Sequence, residues 1–216
     1  DIKKTYFNIN IDPKAYSPLL ILGNEKQKLK LLFNSFVRDH VINNKNINVL
    51  CLDFHPLNMD NVSNSLLKKD KIYKYSNNEK SFFERLKEIN KKLSNSKTIN
   101  LLLILGLDES LSFKENVTDD IGSQTDNKTK ENLLKIIRER LSLNIIPIVF
   151  LRKLSNFSSV FDSLIYENSI SSDVFSRRIY MDTPQEFNYD YGNLSKYKVF
   201  YHDLEKSTQQ ILTIFE

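Results

Sequence analysis

Residues 19–36, LLILGNEKQKLKLLFNSF, hold the first residues whose types and spacing could do chemistry: an apolar run stops at Gly23 and an amphipathic stretch follows. A strand, a glycine turn and a helix in that order bind phosphate when the turn reads G-x-x-x-x-G-K-[S/T]. Backbone amides then cradle the phosphates, the lysine neutralises them and the hydroxyl holds magnesium. Counted from Gly23, the second glycine, the lysine and the hydroxyl fall on Lys28, Leu29 and Lys30. Leu29 supplies no charge and Lys30 coordinates no cation. Losing one hydrogen bond to a charged group costs about 1.5–3 kcal/mol. Losing magnesium as well removes the main neutraliser of charge in phosphoryl transfer. The spacing predicts no catalytic residue and no cofactor here. The alternative is weak ATP and magnesium binding, with Lys28 or Lys30 reaching a phosphate from a shifted position.

The acid that partners such a loop ends a run of four or five apolar residues, usually with Glu after it. Residues 101–105, LLLIL, have that form, but Gly106 and Leu107 follow, and Asp108 and Glu109 come two positions late. Acidic residues after strands commonly cap turns, so the pair alone says little. Two defects at corresponding places in one chain point the same way. Other chemistry is sparse. Cys51, the one cysteine, lies inside the apolar run INVLCLDF and reads as a buried, inert thiol. His40, His55 and His202 share no metal-ligand spacing. A further candidate is apolar: LSNFSSVFDSLIYEN, residues 154–168, sets Phe157, Val160, Phe161, Leu164 and Ile165 at helical spacing. That stripe either packs on a sheet or lines a groove for an amphipathic partner helix.

The elements that must position these residues alternate along the chain. Apolar runs at 18–22, 47–52, 99–105, 144–151 and 177–181 read as strands. Residues 78–94 and 127–141 carry helical periodicity between them. This order predicts an α/β fold with a central, mostly parallel sheet flanked by helices. Residues 110–128 are polar and aperiodic and read as a long loop. The tail offers YKVFY and QQILTIF as a closing β-hairpin, with a helix from Leu204 as the competing reading. No repeat or linker divides the 216 residues, so one domain over 1–216 is expected; lacking an initiator Met, it reads as a piece of a longer protein. Apolar content of 40% and charged content of 27% are those of a soluble globular domain. A formal charge of +4 gives little drive toward nucleic acid.

The order of elements resembles the FtsK/SpoIIIE-type ATPase domains, a P-loop NTPase fold of RecA/FtsK type. It is most similar to the last ATPase domain of type VII secretion coupling proteins. IDPKAYSPLLILGN resembles that family's approach to its P-loop, and INVLCLDFHPLNM its second strand with the following Asp53. INLLLILGLDES corresponds to Walker B, and NIIPIVFLRKLSNFSSVF to the next strand and helix. Ser176-Arg177-Arg178-Ile179 resembles the "TRI" that opens a later strand, and the tail resembles the closing hairpin. The family's lysine, hydroxyl and Walker B acid fall on Leu29, Lys30 and Gly106, so those roles do not transfer. The resemblance implies a cytoplasmic domain of a membrane-anchored parent, following another ATPase domain and able to stack in a hexamer. It implies small helical-hairpin secreted substrates of WXG100 type as partners, and no nucleic acid. A DNA-translocating motor and a weak but genuine ATPase are the competing functions.

Overall fold

Four runs of the sequence are apolar at nearly every position, the pattern of strands covered on both faces. In the computed structural model, which describes residues 18–37, 47–54, 73–76, 99–109, 132–157, 172–182, 194–195 and 197–214, these runs form the middle of one sheet. Its strands are β1 (Leu19–Leu22), β2 (Ile47–Asp53), β3 (Tyr73–Ser76), β4 (Ile99–Leu105), β5 (Ile145–Leu151), β6 (Arg177–Tyr180), β7 (Lys198–Asp203) and β8 (Thr208–Thr213). They lie in the order β3-β2-β4-β5-β1-β6-β7-β8. Strands β1 to β6 are parallel; β7 and β8 close the sheet as an antiparallel hairpin. The fold is the expected mostly parallel α/β sheet.

Alternation along each strand sends successive side chains to opposite faces. Leu19, Ile21, Leu101, Leu103, Ile148 and Phe150 face one side and meet Leu29, Leu32 and Phe33 of helix α1 (Lys26–Val37). Leu20, Leu22, Leu102, Ile104, Val149 and Leu151 face the other and meet Leu133, Leu134 and Ile137 of α2, at 132–138. Burial of both faces, each under one helix stripe among the described residues, is what makes uninterrupted leucine and isoleucine runs stable here.

One difference from the sequence reading, and one choice it left between two readings, have physical causes. Strand β3, YKYS, is half polar and only 4 residues long, and it sits at the sheet's edge, where little burial is required. At the other end the hairpin forms and the helix from Leu204 does not. Leu204 lies in a turn containing Ser207 at φ 50°, and β8 pairs residue by residue with β7. The helical reading at 78–94 and the loop at 110–128 fall outside the described residues. Among the described residues no helix is long and apolar enough to cross a membrane.

Backbone hydrogen bonds continue past the strand ends and gather them on one edge. The amide of Gly23 donates to Leu151 O (3.1 Å), that of Gly106 to Phe150 O (3.1 Å), and that of Met181 to Leu22 O (2.8 Å). Phe54 donates to Leu105 O at 2.9 Å. This carboxyl edge is where open parallel sheets bind ligands.

Candidate functional site at the carboxyl edge of the sheet

Only Gly23, Asn24 and Glu25 separate β1 from α1. The helix begins at Lys26, so the positions of the second half of a phosphate loop are already helical. Gly23 has φ 141°, a region that disfavours side chains. A Cβ there would lie 2.6 Å from Met181 Cβ and 2.7 Å from its Cγ. The close approach of Met181, from the end of β6, is what requires glycine at this turn.

Lys28 points inward. Its side chain is 1% exposed, and Nζ lies 3.1 Å from Glu25 Oε2 and 3.6 Å from Asp182 Oδ1. It donates to Met181 O at 2.7 Å and Leu194 O at 3.2 Å. An ammonium has three donors, and two carbonyls with one carboxylate occupy them all. Glu25 and Asp182 are 40% and 73% exposed, so water screens their share; the buried carbonyls carry most of the tie. Leu29 packs in the core under α1, and Lys30 is exposed. Glu25 also sets a carboxylate at the helix start, the place where the helix dipole would favour a phosphate.

Across β5 from this turn, beyond the end of β4, lies the acid pair. Gly106 turns the chain at φ 66°, and its carbonyl accepts from the Glu109 amide at 2.8 Å, closing one helical turn over Leu107–Glu109. An acid in place of Gly106 would strain that left-handed turn. Asp108 is 3% exposed and faces Arg152, whose Nε lies 3.2 Å from Asp108 Oδ2 and 3.6 Å from Glu109 Oε1. Asn156 also donates to Asp108 Oδ2, at 2.5 Å. At the end of β2, Asp53 is buried beside Cys51, whose thiol is pushed well up by burial and then by that carboxylate. Such a thiol is not a nucleophile. Among the described residues no group of three or more His, Cys, Asp or Glu could hold a metal ion.

Of the apolar stripe, Phe157 is buried and meets Phe175 edge-on, with ring centroids 5.6 Å apart. Val160, Phe161, Leu164 and Ile165 lie outside the described residues. The edge thus brings Gly23 and Lys28 to Met181 and Asp182, and Asp108 and Glu109, after Gly106, to Arg152 and Asn156; sequence reasoning named Asn156 only as a polar neighbour of the stripe and did not single out Met181, Asp182 or Arg152. Arg152 carried a faint signal as the first charge after the apolar run of β5. Met181 and Asp182 carried none, because only the parallel pairing of β1 with β6 sets them against the Gly23 turn.

No family model matches the sequence, and no curated protein matches it either. Solved structures do. The cytoplasmic domain of the Thermomonospora curvata type VII secretion ATPase EccC superposes with a TM-score of 0.58 at 11% identity, covering 98% of this chain and 25% of that one. The chain has the fold of an EccC-type ATPase domain. ATPases 2 and 3 of the same EccC, solved in complex with a signal sequence peptide, give a TM-score of 0.58 at 10% identity, over 98% of this chain and 38% of that one. The genome packaging NTPase B204 from Sulfolobus turreted icosahedral virus 2, solved with ATP-gammaS, gives 0.51 at 16% identity, over 96% and 100%. This chain therefore spans well under half of the EccC chains whose fold it shares.

Proposed function

We propose that this chain is a non-hydrolysing EccC-type module of a type VII secretion coupling protein, acting in the recognition or passage of small helical-hairpin substrates. The observation that carries the reading is Lys28: the lysine nearest the phosphate position has every donor engaged by Met181, Leu194 and Glu25. With Leu29 in the core and Gly106 in the Walker B slot, the residues present do not fit ATP and magnesium. A domain of this fold without nucleotide chemistry retains its surfaces. The EccC module solved with a signal sequence peptide is the precedent for what such a surface takes. In this reading the module works on the cytoplasmic side of the membrane through a longer, membrane-anchored parent, next to a preceding ATPase domain and in a hexameric stack.

The test is fluorescence anisotropy of a labelled peptide carrying the C-terminal helix of a helical-hairpin secreted substrate, run beside labelled duplex DNA at low salt. Saturable peptide binding with no DNA binding is expected. Saturable binding of DNA alone would replace this reading with the translocase.

A further inference from the structure

The acid pair after β4 holds a geometry that nucleotide chemistry would not use. Oδ2 of Asp108 takes the Arg152 amide at 3.2 Å, Arg152 Nε at 3.2 Å and Asn156 Nδ2 at 2.5 Å. Arg152 Nη2 adds a bond to the Asp108 carbonyl at 3.4 Å. The second oxygen, Oδ1, is buried without a hydrogen bond. A catalytic acid presents a carboxylate oxygen to its ligand; Asp108 presents its bonded oxygen to the segment that follows β5.

That segment has little else to hold it. Between Leu151 and Phe157 no residue is fully buried, and Leu154 alone packs against the core, so apolar contact holds its course at one point. It forms one helical turn, Leu154–Asn156, in which the Phe157 amide bonds Leu154 O. Phe157 then anchors its far end against Phe175. Charge-assisted bonds inside the protein are the strong ones, and here they tie the segment's start, through Arg152, and its last turn, through Asn156, to Asp108.

We propose that Asp108 is a positioning residue: it fixes the segment from Arg152 to Phe157, the first residue of the apolar stripe, in the orientation that serves recognition of the partner helix. The role rests on the function proposed above. The carboxylate at the end of β4 exchanges catalysis for anchoring.

The test pairs amide hydrogen exchange on the whole chain with anisotropy of the same helical peptide. In Asp108→Ala and Asn156→Ala, exchange at the Asn156 and Phe157 amides should speed up, and peptide affinity should fall about tenfold, the scale of one charged hydrogen bond. Asp108→Asn, which keeps an acceptor, should recover part of both. Lys135→Ala, at an exposed position of the helix at 132–138, should stay within about twofold of wild type. If Asp108→Ala fails to fold, Asn156→Ala carries the test, because it leaves the Asp108–Arg152 pair intact. Unchanged exchange, or unchanged peptide affinity in a loosened variant, overturns the positioning role alone. A wild-type chain that binds no such peptide overturns the proposed function and this role with it.

Discussion

Lys28 separates two kinds of lysine near a glycine turn. One that serves phosphate is spared by the fold, and its loss costs binding. One that serves the fold is saturated by it, and its loss costs stability. Lys28 is of the second kind, with its ammonium on Met181 O and Leu194 O. Replacing it with Met leaves those carbonyls without their donor and Glu25 without its partner. Lys28→Met should therefore lose about 2 kcal/mol of unfolding free energy in urea, the scale of leaving buried carbonyls without a charged donor. Lys30→Met, at an exposed position, should stay within about 0.5 kcal/mol. Equal stability of the two variants would contradict the assignment. The sequence made Leu29 and Lys30 legible as misfits, because their chemistry is wrong wherever they sit. It left Lys28 open between a shifted phosphate ligand and a bystander, because its partners arrive from residues 153 and 166 positions away. Gly23 was likewise visible, but its reason was not, since Met181 meets it only through the sheet.

Among the elements, the closing hairpin carries its own polar core at the end of the sheet opposite the candidate site. The Leu204 amide donates to Ser176 O at 2.8 Å, Ser176 Oγ donates to Glu205 Oε1 at 2.7 Å, and the Lys206 amide donates to Asp203 Oδ1 at 3.1 Å. Tyr201 donates to Asp203 Oδ2 at 3.3 Å. Burial, with the Asp203 carboxylate adding and Arg177 opposing, pushes the Tyr201 hydroxyl up to about 12. The folded state then holds this proton more tightly than the unfolded chain, whose tyrosine titrates near 10. This contribution to stability is complete below pH ~10 and is lost as pH rises toward ~12. Tyr201→Phe should flatten that alkaline fall in the urea midpoint, and an unchanged fall would remove Tyr201 as its cause. The hairpin itself was legible from alternating apolar residues around a polar turn. The edge strand β3 was not, since YKYS has neither the length nor the apolar content that marks a strand.

For the whole molecule, the parallel sheet follows from runs that are apolar on both faces, which is why β1, β2, β4 and β5 could be placed within a residue or two. The candidate site could be placed only in part. Its chemistry sits where strand ends meet, and those meetings depend on the strand order, which sequence periodicity does not encode. The pairing of β1 with both β5 and β6 is what delivers Leu151, Met181 and Asp182 to the Gly23 turn. The consequence, in the function proposed here, is an ATPase fold whose own side chains engage the candidate residues of its carboxyl edge, with Lys28 on backbone carbonyls and Asp108 on Arg152 and Asn156. Titration of the chain with a fluorescent ATP analogue, with and without magnesium, tests that claim most directly. The account predicts no saturable signal in either condition and no turnover above background. Saturable, magnesium-dependent binding that disappears in a folded Lys28→Met or Lys30→Met variant would contradict it.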